Sequence, residues 1–66
     1  MGTIRAKYEI SVYDCYFENY KFTIMPNDKV DIFCLYEEGV HIGVNNRDGY
    51  ITYEQFRNGL KEEKNG

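Results

Sequence analysis

Hydrophobic and polar side chains alternate along residues 4–12, with Ile4, Ala6, Tyr8, Ile10 and Val12 on one face and Arg5, Lys7, Glu9 and Ser11 on the other. A period of two is the pattern of a half-buried strand. Tyr16-Phe17-Glu18-Asn19-Tyr20 is aromatic but broken by turn formers, and Phe22-Thr23-Ile24 resumes the alternation. A long loop between two strands is expected there. Met25-Pro26-Asn27-Asp28-Lys29 is the clearest break, because Pro26 fixes its own φ and Asn is tolerated at positive φ in a tight turn. After it, Val30, Ile32, Cys34 and Tyr36 alternate with Asp31, Phe33 and Leu35, apolar on nearly both faces, which predicts a central strand. Glu37-Glu38-Gly39 is expected to close a hairpin with Gly39 at positive φ. Val40, Ile42 and Val44 then share one face, a turn is expected over Asn45-Asn46-Arg47-Asp48-Gly49, and Tyr50-Ile51 begins the last strand. Four or five short strands spaced by about ten residues predict a small all-β barrel over about residues 4–52.

The period then changes. Thr52 followed by Gln55 has the form of a capping box, and Tyr53, Phe56 and Leu60 recur at helical spacing. A short C-terminal helix over about residues 53–63 is predicted, weakened at Gly59 by roughly 1 kcal/mol relative to Ala. The polar residues 61–66 are expected to fray.

At 66 residues, with 42% of them hydrophobic, the chain is a single small domain over residues 1–66, with no room for a second domain or a built-in catalytic cleft. A charged fraction of 29% argues against intrinsic disorder. No apolar run approaches the roughly 20 residues a membrane helix needs, and no secretory leader is read at the start, so a cytoplasmic protein with no membrane partner is expected. The net charge of −3 argues against direct nucleic-acid binding, which depends on Lys and Arg displacing counterions. Cys15 and Cys34 could form one disulfide, but a secreted domain of this size usually carries four or more cysteines, so they read as buried thiols; one His with two Cys and no C-x-x-C pair gives no metal site. His41 reads as a packed or exposed side chain on a strand. No nucleophile, base and orienting group come together in the sequence, so neither an enzyme nor a cofactor is expected.

Residues 46–52 read like the middle of an EF-hand loop, with Asp48, Gly49 and Ile51 at its fifth, sixth and eighth positions. The ends decide against calcium. The first position would be Val44, which has no side-chain oxygen, and the twelfth Gln55 in place of a bidentate Glu.

Taken together, the turns and strands resemble the Src-homology 3 (SH3) family. Ser11-Val12-Tyr13-Asp14-Cys15 stands where the family has A-L-Y-D-Y, and residues 16–21 and Phe22-Thr23-Ile24 stand for its long RT loop and L-S-F strand. Met25-Pro26-Asn27-Asp28 is similar to the diverging turn, with Asn27 in place of Gly. Val30-Asp31-Ile32-Phe33 fits the following strand, and Glu37-Glu38-Gly39 the n-Src loop. The family's W-W-x-G/A falls on Val40-His41-Ile42-Gly43, and its N-G-R-E-G-Y-I-P-S-N-Y-V on residues 45–56. The match covers residues 11–56 and implies a five-stranded SH3-like barrel. It also exposes a conflict, since the family template buries Gly43 whereas Val40, Ile42 and Val44 share the opposite face.

The family's peptide groove stacks ligand prolines on aromatic rings. Of its lining positions only Tyr13 survives: Cys15, Val40, Thr52 and Gln55 replace the others, and the acidic loop is reduced to Glu18 and Asp14. A proline-peptide function is therefore not expected.

Seven tyrosines point instead to a contact surface. Tyr8, Tyr36 and Tyr50 read as filling or edging the barrel, whereas Tyr13, Tyr16, Phe17 and Tyr20 cluster in and beside the long loop. The expected function is a non-enzymatic protein–protein interaction module, with Tyr13, Tyr16, Phe17, Glu18, Tyr20, Glu37, Glu38 and Val40 as the partner-binding residues. The alternative is a stand-alone small inhibitor of phage or mobile-element type, blocking a host nucleic-acid-binding protein through its acidic surface. Either a monomer or a homodimer joined along an exposed Val40-Ile42-Val44 edge fits the pattern.

Overall fold

The computed structural model describes residues 2–63, a mostly β domain with one short helix. Strands β1 (Thr3–Ala6), β2 (Ile10–Tyr13), β3 (Tyr20–Ile24), β4 (Asp31–Leu35), β5 (Val40–Val44) and β6 (Arg47–Ile51) precede helix α1 (Tyr53–Gly59) and strand β7 (Leu60–Glu63). Five of them form an antiparallel sheet in the order β3-β2-β6-β5-β4, and β1 and β7 form a separate antiparallel pair. The five-stranded sheet is open, with β3 and β4 as its edges among the described residues, so strand pairing does not close the expected barrel.

The seven largest fully buried side chains are Ile10, Val12, Ile24, Val40, Ile42, Val44 and Ile51, and Ala6 and Val30 are buried beside them. The seven are all β-branched, and they come from four adjacent strands, where a branched Cβ packs well on a pleated surface. Ile4, Tyr53, Phe56 and Leu60 pack against this core from β1, α1 and β7. Burying an aliphatic side chain of this size is worth about 1.5–3 kcal/mol, so this layer dominates the fold's stability.

The burial of Val40, Ile42 and Val44 puts the aliphatic stripe in the core, and Gly43 on the other face is buried as well, beneath the Phe33 ring, so the register conflict dissolves. Two expectations are also corrected. Val40, expected on the contact surface, is 0% exposed, and β5 lies inside the sheet between β6 and β4, so it offers no edge to a homodimer. The strand expected to be central, β4, is instead an edge with all five residues exposed. Apolar residues on both faces signal burial only if both faces are covered, and neither face of β4 is buried by the described residues.

Local features differ from expectation for identifiable reasons. The single strand over residues 4–12 breaks at residues 7–9, because β1 leaves to pair with β7 while β2 joins the large sheet. The turn after β5 is two residues long: Asn45 and Asn46, at φ 51 and 67, make the left-handed pair that matches the twist of a two-residue hairpin. Arg47 and Asp48 therefore already belong to β6. Asn27, at φ 72, does take the left-handed conformation expected of it. Gly39 does not. A Cβ there would meet the Phe17 ring at 2.6 Å and the Ile51 carbonyl oxygen at 2.7 Å, so close approach, not backbone angle, requires glycine.

The capping box at Thr52 is present in both directions, with Gln55 N–H donating to Thr52 Oγ1 at 3.1 Å and Thr52 N–H to Gln55 Oε1 at 2.8 Å. The helix stops four residues earlier than expected. The Gly59 carbonyl accepts from Lys7 N–H at 2.7 Å, and Leu60 turns extended to pair with Ala6. Residues 60–63 are thus a strand, tied further by an Arg5–Glu63 ion pair of 3.2 Å. The rest of the expected frayed tail lies outside the described residues. Both cysteines are exposed free thiols, against the expectation of burial: Cys15 sits in a surface loop and Cys34 on the open edge.

Candidate functional site

In a sheet, residues paired across strands share a face, and successive residues along a strand alternate between faces. The core occupies the inner face through Val12, Ile42 and Ile51, so their chain neighbours Tyr13, His41 and Tyr50 point outward. Pairing brings these outward residues into one row: Tyr20 opposite Tyr13, Tyr13 opposite Tyr50, Tyr50 opposite His41, and His41 opposite Cys34. The row crosses all five strands.

Its two ends depend on bulges. Between Val12 and Tyr13 the register of β3 slips by one residue at Lys21, and between Ile42 and His41 that of β4 slips at Phe33. Strict alternation would place Tyr20 on the face of Phe22 and Cys34 on the face of Ile32. A bulge re-aims the side chain, and both residues join the outer row instead. Lys21, the bulged residue, donates from Nζ to the Asp48 carbonyl at 2.6 Å.

The rings are in contact along the row. Tyr20 meets Tyr13 edge-on at 6.2 Å between centroids, and Phe17 lies 6.4 Å from Tyr13 and 6.5 Å from Tyr50. Tyr50 stacks on His41 at 4.7 Å with only 9° between planes, and Tyr36 stands 6.0 Å from Tyr50. Phe33 closes the row edge-on to His41 at 5.1 Å, its ring lying over Gly43, where a side chain would collide with it. Tyr20, at 58% exposure, and Phe33, at 57%, are the most open members, and Tyr16 in the adjoining loop is 76% exposed.

The loop over residues 14–19 is built around one carboxylate. Asp14 accepts from the backbone N–H of Tyr16 at 3.1 Å and Glu18 at 2.9 Å, and from Asn19 Nδ2 at 2.7 Å. These bonds, led by that from Glu18, hold its carboxyl below the usual Asp range. Inside this frame Phe17 takes φ 56, an outlier for a bulky residue, and its ring seats on Gly39. Loop and turn are thereby joined across the sheet. The turn is held from its other side by Tyr53, whose hydroxyl donates to the Tyr36 carbonyl.

An open depression of about 500 Å³ lies between the two, lined by Cys15, Tyr16, Phe17, Tyr36, Glu38 and Tyr50 along with Gly39. A hydrogen bond with the Cys34 side chain, then the charges of Cys34 and Tyr50, push the Tyr36 phenol above its ordinary value. Beside it, His41 Nε2 lies 2.7 Å from Asp48 Oδ2. That bond, reinforced by the Lys21 charge, lowers the Asp48 carboxyl.

Of the residues expected to bind a partner, Tyr13, Tyr16, Phe17 and Tyr20 come together on the outer face, and Glu38 lies on the rim of the depression. Glu18 and Glu37 are exposed beside it in the loop and the turn. Asp14 is turned inward and organises the loop. The pattern missed Phe33, Tyr36, His41 and Tyr50. His41 and Tyr50 were legible as the out-of-phase partners of Val40, Ile42 and Ile51, but their adjacency to Tyr13 follows only from the β2–β6 pairing. Among the described residues no cluster of His, Cys, Asp or Glu could hold a metal ion, and no helix is long and apolar enough to cross a membrane. Comparison with family models, curated proteins and solved structures returns no match.

Proposed function

We propose that this protein is a non-enzymatic interaction module that binds a protein partner through the aromatic outer face of its five-stranded sheet, centred on the depression between residues 14–19 and the turn after β4. One observation carries the reading: a contiguous row of rings from Tyr20 to Phe33 faces solvent on a rigid sheet. Contiguous apolar surface of this kind marks interaction sites, and tyrosine offers a large contact at small entropic cost. Aromatic sheet faces also stack unpaired nucleobases, but Glu37, Glu38 and Asp48 around this one and the net charge of −3 oppose a phosphate backbone.

An SH3-like architecture belongs to the same proposal. The left-handed Asn27, the β2–β3 hairpin with its long loop and the β4–β5–β6 meander support it. In this reading the binding face is rebuilt from Phe33, Tyr36 and Tyr50, since the groove position Val40 is buried.

Tyr16→Ala and Tyr20→Ala are expected to abolish capture of the native partner while thermal unfolding stays close to that of the wild type. A large loss of stability would make these residues structural and remove the site. Saturable binding of a single-stranded oligonucleotide at low salt would replace the reading with a nucleic-acid one. Glu38 on the rim favours a second version, the acidic inhibitor, in which Glu37 and Glu38 meet a basic groove. Strong weakening of the complex by salt and by charge reversal at Glu37 and Glu38 selects that version, and salt-insensitive binding selects the aromatic one.

A further inference from the structure

The proposed contact face has a distinct chemistry at its centre. Phe17, Tyr36 and Tyr50 are inclined to one another, at 72° between Phe17 and Tyr50 and 42° between Tyr36 and Tyr50, so they form walls, not a flat platform. Tyr16 adds a further ring, and among the described residues the one charged side chain lining the depression is Glu38, with no Lys or Arg. Ring faces carry negative potential and attract a cation within about 6 Å of their centroids. A carboxylate on the rim adds to that potential.

Resting on the interaction reading, we propose that the depression is a receptor for an alkylammonium group, the side chain of a partner's lysine in free or N-methylated form. Charge complementarity selects a cation, because the charged side chain that lines the hollow is the Glu38 carboxylate and the ring faces add negative potential to it. The inclined walls select its shape. A planar guanidinium stacks best on a flat, open ring face, and the flattest stack here, on Tyr50, is already taken by His41 at 9°. A compact, roughly spherical ammonium fills a concave niche whose walls meet at an angle. The niche is preformed: Asp14 fixes the loop, Phe17 is seated on Gly39, and Tyr53 pins the turn, so little ordering is left for binding to drive.

The test uses the full chain and four probes: the N-acetyl methylamides of lysine, trimethyllysine, the neutral tert-butyl analogue of trimethyllysine, and arginine. Amide resonances of Gly39 and Tyr50 report binding. Lysine or trimethyllysine is expected to give saturable shifts, with the neutral analogue about ten-fold weaker, the range that a partly desolvated cation–π contact supplies. Tyr36→Leu is expected to weaken binding about ten-fold and Glu38→Gln several-fold, with unchanged melting temperatures, while Glu9→Gln, remote from the hollow, has no effect. Equal binding of the neutral analogue, tighter binding of the arginine probe, or no saturable shift with any probe overturns the proposal. If Tyr16→Ala abolishes partner capture yet no probe binds, this inference falls and the interaction reading stands. If Tyr16→Ala also leaves capture intact, both fall.

Discussion

The two faces of the five-stranded sheet are built from the same strands with opposite chemistries. Inward, Ile10, Val12, Ile24, Val40, Ile42, Val44 and Ile51 interdigitate with almost no exposure. Outward, Tyr20 touches Tyr13, Phe17 bridges Tyr13 to Tyr50, and Tyr50, His41 and Phe33 follow ring to ring, with Tyr20 and Phe33 the most open to solvent among these. Aromatic residues are the bulkier hydrophobes, and a small domain short of core would gain most by burying them. Phe22 is the one ring buried in that core among the described residues; that branched aliphatics make up the rest while most rings stand on the other face indicates that the outer face is shaped for contact and the inner face for stability.

The sharpest way to break that contrast is to cut into the inner face. Ile42→Ala, at the centre of the sheet, is expected to lower stability by about 2–5 kcal/mol through lost burial and the cavity left behind, read from denaturant unfolding. A loss below about 1 kcal/mol would mean that the core is far more plastic than its packing implies. Gly39→Ala comes next and strikes where the faces meet. Its methyl group would collide with the Phe17 ring and the Ile51 carbonyl, and overpacking of this kind costs about 1–3 kcal/mol. It should also displace Phe17 and disturb the Tyr13 and Tyr50 ring resonances. Undisturbed rings would show that loop and turn are not coupled. Tyr16→Ala, by contrast, should stay within about 0.5 kcal/mol of wild type, as surface substitutions do.

The smallest effect expected is on acid sensitivity. Asp14 and Asp48 both titrate below the ordinary value of 3.8 in the folded chain. Carboxyls depressed in this way add stability that is fully present above the unfolded value and is lost as pH falls through the lower folded values. Melting temperature should therefore decline below about pH 4, and Asp14→Asn should flatten that decline. An identical acid slope in Asp14→Asn and wild type would show that the loop bonds contribute nothing to folding.

Much of the inner face was legible in the chain. The Val40, Ile42, Val44 alternation, the Asn27 turn, the Asn-Asn hairpin and the Thr52–Gln55 box each state a local preference that the fold obeys. The outer face was half legible. Tyr13, Tyr16, Phe17 and Tyr20 stood out because they crowd one loop, whereas Tyr36, His41, Tyr50 and Phe33 are scattered over about twenty residues of chain and become neighbours only through strand order.

The misreadings have a common cause. The β4 segment has the composition of a central strand and lies at an edge; Leu60–Glu63 has the composition of a fraying helix end and pairs with β1. In each case a non-local partner, or its absence, overrode a local pattern. Periodicity along the chain determined which residues face inward, because alternation and turn chemistry act within a few residues. Which outward residues meet was decided by the β2–β6 pairing and by the two bulges, because side chains become neighbours across a sheet only after strands distant in sequence choose a register.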